Sequence, residues 1–359
     1  MSSNAARLAD VGQSVWYDNL HRDLIRGGGL RDLINHHGVR GVTSNPTIFE
    51  KAILSGGAYD QQLAGLRSAT PEEAYWELVV EDIAGAADVL ASTYETTQGS
   101  DGFVSVEVTP SLAHDATGTV EQAHQLWERV ARPNVMIKVP ATVAGVGAVE
   151  ALTFAGVNVN VTLIFSVERY RDVLAAYTRG LTQRTEAGLH IGSVRSVASF
   201  FVSRLDTAID PLLPADHPSR GRCAVANARV AYQAFTDYVS APPWTDLMTT
   251  HGASVQRPLW ASTSTKNVAY SPTLYVDELI GRSTVNTLAP GTLDAFESNG
   301  SVVADTIETD LHGAHDVLGA LHEAGVDLDA VTADLERAGV QAFVDSFESC
   351  VAGIAKRMG

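Results

Sequence analysis

The stretch NVMIKVPAT, residues 134–142, places a single lysine, Lys138, inside an otherwise apolar run that closes with a proline. A run of this length, rich in β-branched residues, is typical of a buried strand in a parallel sheet. Burial favours the uncharged amine over the ammonium ion, and a free amine can attack a carbonyl carbon to form a Schiff base. Taken alone, the stretch also fits a lysine that reaches solvent at the strand end or pairs with a structural carboxylate.

Seven other short apolar runs end, like this one, in polar residues. They lie at 14–18 (SVWYD), 41–46 (GVTSNP), 102–110 (GFVSVEVTP), 157–162 (VNVNVT), 193–199 (SVRSVAS), 258–262 (PLWAS) and 284–288 (TVNTL). Helical patterns fill the gaps, and the clearest begins at TPEE (70–73), whose spacing predicts a capping box. Eight strands alternating with helices predict an α/β fold, a (β/α)8 TIM barrel with extra helices. In such barrels the catalytic groups lie at the C-terminal ends of the strands, where these polar residues fall.

Composition limits the class of protein. The 359 residues, 45% hydrophobic, fit a single barrel domain over 1–359 with C-terminal helices from about 301 packed on the barrel. A net charge of -17 argues against a nucleic-acid or anionic-membrane partner, since phosphate backbones require clustered lysine and arginine. Residues 1–7 lack the apolar core of a signal peptide, so we expect a soluble, cytoplasmic protein. Cys223 and Cys350 have neither metal-ligand nor disulfide spacing, and we expect no metal or organic cofactor.

Five motifs, each at a predicted strand end, together resemble those of the transaldolase family. They are TSNP (43–46), SVEV (105–108), IKVPAT (137–142), NVNVTL (158–163) and SFFVSR (199–204). The stretch WASTSTKN (260–267) is similar to the form found in actinobacterial members. The resemblance implies transfer of a dihydroxyacetone unit in the pentose phosphate pathway. The donor would be sedoheptulose 7-phosphate or fructose 6-phosphate, and the acceptor glyceraldehyde 3-phosphate or erythrose 4-phosphate.

The resemblance assigns the catalytic roles. Lys138 would form the Schiff base with the ketose, and Asp18 would take the proton from the C4 hydroxyl. An N-cap for a helix beginning near Asn19 is an equal interpretation of Asp18. Glu107 lies on the same strand face as Ser105, among valines that favour a raised carboxyl pKa. The family uses this glutamate with a threonine, here Thr162, to hold a water; a structural partner of Lys138 is the alternative.

Substrate binding falls to neutral polar groups and to cations. Asn45 and Asn160 would bind sugar hydroxyls, although Asn45 also fits turn chemistry before Pro46. Smaller groups and one ring would line the same cavity: Thr43, Ser105, Ser199 and Phe201.

Arg204 is the main candidate for the phosphate, because a guanidinium binds phosphate oxygens in a bidentate fork. A surface salt bridge to Asp206 or Asp210 is the alternative. Where the family has a second arginine this chain has Lys266, preceded by Ser264, and Arg257 or Arg282 could serve instead.

Two other functions compete with transfer. Fructose-6-phosphate aldolases, lyases of the same superfamily, carry glutamine and tyrosine where this chain has Glu107 and Phe201. Phenylalanine has no hydroxyl to protonate an enamine, so these residues favour transfer. A barrel that only binds ligands is the second alternative, because fold alone does not fix function.

The sequence pattern predicts helices in the remaining segments. A helix near 224–239 lies within an enlarged crossover, 213–256, and an amphipathic helix covers much of 302–321. The C-terminal helices would pack on the barrel or form a dimer surface, which leaves a monomer or a homodimer open.

Overall fold

Eight parallel strands close into a barrel in which each strand pairs with the next and the last pairs with the first. The computed structural model describes residues 3–359; Met1 and Ser2, part of the N-terminal segment considered above, lie outside the described residues. The strands are β1 (Gln13–Tyr17), β2 (Val39–Val42), β3 (Phe103–Glu107), β4 (Val135–Pro140), β5 (Val159–Ile164), β6 (Ser196–Phe201), β7 (Gln256–Ala261) and β8 (Thr284–Leu288). The predicted (β/α)8 barrel is therefore confirmed.

Sixteen α-helices surround or cap the barrel within the described residues. They are α1 (Asn4–Leu8), α2 (Arg22–Arg26), α3 (Gly29–His37), α4 (Pro46–Leu54), α5 (Asp60–Gly65), α6 (Pro71–Thr96), α7 (Ala116–Val130), α8 (Val143–Ala155), α9 (Val167–Glu186), α10 (Ser203–Ile209), α11 (Cys223–Val239), α12 (Trp244–His251), α13 (Leu274–Asp277), α14 (Pro290–Asn299), α15 (Leu311–Glu323) and α16 (Leu328–Met358). Over residues 3–359 none is both long enough and apolar enough to cross a membrane.

The helix predictions are mostly confirmed. α6 begins with the predicted capping box of Thr70 and Glu73, and α11 covers the helix predicted near 224–239. The prediction of a helix over 302–321 is wrong for the first part of that range. A 3-10 turn and two aspartates with left-handed backbone conformation, Asp305 and Asp310, precede α15. The Asp310 side chain accepts a hydrogen bond from the Gly313 amide and so caps α15, which begins at the next residue.

The barrel interior is apolar at one end and polar at the other. Large side chains fill the N-terminal half: Trp16, Phe103, Met136, Val197, Leu259 and Val285. Gly41 lies opposite Trp16, and a Cβ there would come 2.5 Å from the indole ring. Toward the C-terminal end, strand pairing sets Lys138 of β4 between Glu107 of β3 and Asn160 of β5. This register concentrates the predicted chemistry at one end.

A bulge in β5 changes which side chains face the interior. The pairing of β5 with β6 slips between Val161 and Ile164, and Leu163 has a left-handed backbone with φ 59°. A left-handed leucine costs about 1–2 kcal/mol, which its complete burial offsets. As a result Thr162 lines the cavity while its neighbour Leu163 packs in the apolar cluster that includes Phe201.

The long helix α16 lies across the barrel end that carries the polar residues. It packs on α4, α6, α10 and the end of β5. The hydroxyl groups of Thr47 and Ser346 lie 2.8 Å apart, and Arg357 donates to the Gly56 carbonyl over 2.8 Å. These contacts fix the C-terminal half of the helix to the rim of the barrel.

Candidate active site

A cavity of about 780 Å³ opens at the C-terminal ends of the strands. Ten of the thirteen site residues predicted from the sequence line it: Asp18, Thr43, Asn45, Lys138, Thr162, Ser199, Phe201, Arg204, Ser264 and Lys266. The other three, Ser105, Glu107 and Asn160, are buried beside or below it. The polar strand ends thus meet in one place, as expected for this fold.

Lys138 is held at the bottom of this cavity and is only 4% exposed. Its Nζ atom donates a 3.1 Å hydrogen bond to the Ser44 carbonyl and lies 3.5 Å from Oε2 of Glu107. The ring centre of Phe343, on α16, lies 5.8 Å from the same nitrogen. The alternative of a strand-end lysine that reaches bulk solvent is therefore wrong, because α16 and the barrel wall enclose the amine.

Glu107 is buried without a hydrogen bond to either carboxyl oxygen from residues 3–359. Burial raises the pKa of its carboxyl to about 7, and the nearby Lys138 only partly counteracts this effect. The hydroxyl of Thr162, at the cavity wall, likewise finds no partner among the described residues. Buried polar atoms are nearly always hydrogen-bonded, so these groups have capacity for a water molecule or a substrate hydroxyl.

Asp18 follows β1 and is held from two sides. Its amide donates to the Leu288 carbonyl over 2.8 Å, and the Thr43 hydroxyl donates to Oδ1 over 2.6 Å. Burial raises the pKa of the Asp18 carboxyl, while Lys138, the Thr43 hydrogen bond and Arg204 act in the opposite direction. A raised pKa makes the Asp18 carboxylate a stronger base toward a ligand in the cavity.

The N-cap interpretation of Asp18 is wrong. The next helix, α2, begins only at Arg22, and its N-cap is His21, whose Nδ1 accepts a hydrogen bond from the Leu24 amide. Asn45 does act as a cap, since its Oδ1 accepts from the Ile48 amide at the start of α4 over 2.9 Å. It also lines the cavity, so the turn and binding interpretations of Asn45 are compatible.

A chain of side-chain hydrogen bonds lies beneath Lys138. The Asn160 amide donates to the Ser105 hydroxyl over 2.9 Å, and the Ser199 hydroxyl donates to Oδ1 of Asn160 over 2.7 Å. Of these three residues only Ser199 lines the cavity. Ser105 and Asn160 therefore support the cavity floor in this structure.

Arg204 reaches the cavity from the start of α10. Its guanidinium carbon lies 5.2 Å from the Phe201 ring centre, and no carboxylate within residues 3–359 forms a salt bridge with it. The predicted alternative of a surface salt bridge is wrong, because Asp206 accepts from the Tyr275 hydroxyl and Asp210 from the Tyr270 hydroxyl. The guanidinium remains available for an anion in the cavity.

Lys266 lies on the exposed loop after β7, at the cavity mouth. Ser264, nearer the strand, has its hydroxyl 2.5 Å from that of Thr292. The loop meets the residue after α10 through the 2.6 Å hydrogen bond between Tyr270 and Asp210, and the first residue of α10 through the hydroxyl groups of Ser262 and Ser203, 3.1 Å apart. These polar contacts connect the loop of Lys266 to the helix that carries Arg204.

The two alternative cations lie at the opposite end of the barrel. Arg257, near the start of β7, donates to Asp101 over 2.8 Å and to Ser14 over 2.9 Å. Arg282 precedes β8 and pairs with Asp305. Both line a separate cavity at the N-terminal ends of the strands, so neither can reach a ligand at Lys138. The prediction that one of them could bind the phosphate is therefore wrong.

Several cavity residues have no clear signal in the sequence. Phe343, His21 and Lys51 line the cavity, yet each sits in a helix or loop pattern with no strand-end motif. Only the tertiary packing of α16 and α4 on the barrel brings Phe343 and Lys51 to the cavity. For metals, residues 3–359 contain no cluster of three or more His, Cys, Asp or Glu suited to an ion.

Comparison with known proteins supports the same reaction class. The sequence profile of the family described as Transaldolase/Fructose-6-phosphate aldolase matches residues 15–354. The transaldolase of Thermobifida fusca is 46% identical over 365 residues, covering 100% of this chain and 99% of the relative. Transaldolase 1 of Streptomyces coelicolor is 46% identical, covering 98% and 94%, respectively. The transaldolase of Mycolicibacterium paratuberculosis is 45% identical, covering 99% and 97%. These relatives come from actinobacteria, in agreement with the resemblance of residues 260–267.

Proposed function

Because the chain belongs to the transaldolase/fructose-6-phosphate aldolase family, we propose that Lys138 is the amine through which it carries out Schiff-base chemistry. The protein is an enzyme, a transferase of the transaldolase type in the pentose phosphate pathway, and its substrates are sugar phosphates. It moves a dihydroxyacetone unit from a ketose phosphate to an aldose phosphate. The position of the Lys138 amine, buried at the cavity floor 3.5 Å from Glu107, is the observation that carries the assignment of residues.

The first step forms the covalent intermediate. The nitrogen lone pair of Lys138 adds to the C2 carbonyl of the ketose, and loss of the C2 oxygen as water gives an iminium ion. Glu107 and Thr162 have free hydrogen-bonding capacity beside the amine, so they can hold the water that carries protons in this step. A carboxyl pKa near 7 lets Glu107 both accept and donate a proton at neutral pH.

The second step breaks the bond between C3 and C4. Asp18 takes the proton of the C4 hydroxyl, the C4 oxygen becomes the aldehyde of the departing aldose phosphate, and the bonding electrons form an enamine with the iminium nitrogen. The Thr43 hydrogen bond fixes the Asp18 carboxylate for this transfer. In the reverse direction the enamine attacks the acceptor aldehyde, and Asp18 returns the proton to the new hydroxyl.

We assign the phosphate to Arg204, with Lys266 as a second and weaker cation. The guanidinium of Arg204 forms no salt bridge with a carboxylate among residues 3–359, and the residue lines the cavity. Lys266 is exposed, so it contributes a point charge at the mouth rather than a bidentate fork. Asn45, Ser199 and Ser264 remain our candidates for sugar hydroxyls and the phosphate, while Ser105 and Asn160 act from below.

The residues near the enamine favour transfer over lysis. Phe201 has no hydroxyl with which to protonate the enamine, and it packs against Phe165 with ring centres 5.3 Å apart. Glu107 stands where the lyases of the superfamily carry glutamine. The intermediate should therefore persist until an acceptor aldehyde arrives.

Organisation and location complete the proposal. We propose a single catalytic domain spanning 1–359 that works as a monomer or a homodimer. We place the enzyme in the cytoplasm, where charged sugar phosphates are retained by membranes.

A steady-state assay tests the function. Purified protein receives fructose 6-phosphate with or without erythrose 4-phosphate, and release of glyceraldehyde 3-phosphate is followed with a coupled dehydrogenase. We expect many turnovers that depend on the acceptor, and none with the Lys138→Met control. Sustained release without acceptor would assign the chain to the aldolases of its family, and ligand binding without turnover would favour a binding protein.

A further inference from the structure

We propose that Phe343, on the C-terminal helix α16, is a specificity-determining residue that keeps water from the enamine on Lys138 and so favours transfer to an aldose. The inference rests on the proposed role of Lys138 and extends it to a helix outside the strand-end motifs. Phe343 is 4% exposed, lines the cavity, and places its ring centre 5.8 Å from the Lys138 amine. It thus adds an apolar wall close to the amine in a cavity that also carries polar side chains.

The approach of α16 depends on a glycine one turn earlier. A Cβ at Gly339 would lie 2.8 Å from a methyl group of Leu163 and 3.5 Å from a guanidinium nitrogen of Arg204. Residues four apart share one face of a helix, so Gly339 and Phe343 both face the barrel. The missing side chain lets the helix come close enough for the Phe343 ring to reach the cavity.

The helix is anchored on both sides of Phe343. Val340, one turn away on the barrel side, packs in the same apolar cluster as Leu163 and Phe201. Ser346 meets Thr47 of α4, and the ring of Phe347 lies 4.9 Å from that of Tyr75 on α6. Phe343 is therefore a fixed wall and needs no closing motion to cover the amine.

The fate of the enamine gives this wall a chemical role. After the aldose has left, C3 of the enamine can attack an acceptor aldehyde, which forms the new carbon–carbon bond. Alternatively C3 takes a proton, and water then adds to the resulting iminium carbon, releasing free dihydroxyacetone and the Lys138 amine. An aromatic ring donates no proton and excludes water. Both effects slow the second route relative to the first.

A pair of phenylalanines on α16 provides a matched test. Phe343 and Phe347 are both buried and one turn apart, but of the two only Phe343 lines the cavity. The measurement is the ratio of acceptor-independent to acceptor-dependent release of glyceraldehyde 3-phosphate from fructose 6-phosphate. Because both rates scale with the amount of folded enzyme, loss of stability alone does not change this ratio.

We expect Phe343→Ala to raise the ratio about tenfold, the factor given by 1.36 kcal/mol in relative barrier height. Phe343→Leu keeps an apolar side chain and serves as the second variant if the alanine variant does not fold. It should raise the ratio about threefold. Phe347→Ala should lower the thermal midpoint and leave the ratio at the wild-type value.

An unchanged ratio in Phe343→Leu and Phe343→Ala, or an equal rise in Phe347→Ala, would overturn the role of Phe343. Failure of the proposed function is a different result, because the wild-type protein would then show no acceptor-dependent release at all.

Discussion

The Oε2 atom of Glu107 lies 3.5 Å from the Nζ atom of Lys138, at directly paired positions of β3 and β4. Despite this proximity, neither oxygen of Glu107 accepts a hydrogen bond within residues 3–359, and its carboxyl pKa is raised from 4.5 to about 7. Burial outweighs the attraction of the lysine. The folded protein therefore holds a proton on Glu107 under conditions in which the unfolded chain has lost it.

This difference predicts how stability varies with pH. Between pH 4.5 and about 7 the folded state binds more protons at Glu107 than the unfolded state, so this group's stabilising contribution is lost as the pH rises. Glu107→Gln removes the effect. The free energy of unfolding of this variant, relative to that of the wild type, should therefore rise by up to about 3 kcal/mol between pH 4.5 and pH 8. Urea unfolding at both pH values measures this gain, with the exposed Glu77→Gln as a control. A difference that stays constant with pH would contradict the prediction.

Asp18→Asn should stop the reaction after Schiff-base formation. Without a base for the C4 hydroxyl proton, the bond between C3 and C4 stays intact, and turnover should fall about 100- to 10,000-fold. Borohydride reduction with fructose 6-phosphate should then trap the whole six-carbon sugar phosphate on Lys138. Glu107→Gln, which retains Asp18, should give a smaller amount of adduct, and that adduct should contain three carbons. A three-carbon adduct formed by Asp18→Asn at the wild-type rate would exclude Asp18 as the base.

Arg204 and Lys266 should contribute unequally to phosphate binding. Arg204→Gln should raise KM for fructose 6-phosphate about 10- to 100-fold, since a charge-assisted hydrogen bond contributes about 1.5–3 kcal/mol. Lys266→Gln should raise it only about two- to fivefold, because an exposed ion pair contributes less. Unphosphorylated fructose is the matched substrate, and its KM should change little in either variant. Arg282→Gln, at the opposite barrel end, should behave as wild type; a rise in its KM would contradict the assignment of the phosphate site.

Gly41 should be sensitive to a single methyl group. Its added Cβ would lie 2.5 Å from the Trp16 ring inside the barrel, so Gly41→Ala should reduce the free energy of unfolding by about 1–3 kcal/mol. Gly147 is an exposed position of α8 with open space around it, and Gly147→Ala should stabilise by about 0.5–1 kcal/mol. Thermal or urea unfolding of the two variants measures the contrast. Equal effects would mean that the barrel interior adjusts freely at Trp16.

The strands and the buried position of Lys138 could be predicted because both depend on local pattern. Short apolar runs with polar ends predict strands, and the last strand, β8, has the predicted bounds of 284–288. Polar residues after such runs must meet when the barrel closes, which is why ten of thirteen predicted site residues share one cavity. β6 begins at Ser196 instead of 193, since a turn joins Val194 to Ile191.

Other features depend on tertiary packing that sequence pattern does not record. The sequence around Leu163 has the pattern of a regular valine-rich strand. Only the pairing of β5 with β6 reveals the bulge. Likewise, the partners of Asp206 and Asp210 are Tyr275 and Tyr270, which are distant in the sequence, so Arg204 is left without the salt bridge that sequence proximity suggests. Phe343 reaches Lys138 only because a long helix crosses the barrel end.

Borohydride reduction of the wild-type protein with fructose 6-phosphate, followed by peptide mass mapping, tests the central claim most directly. Three lysines line the cavity, Lys51, Lys138 and Lys266, so the modified peptide identifies the reactive amine without a further variant. A three-carbon adduct on the peptide that contains Lys138, and none on the other two, is the predicted result. Absence of any adduct, or its appearance on Lys51 or Lys266 instead, would contradict the assignment of Lys138 as the Schiff-base lysine.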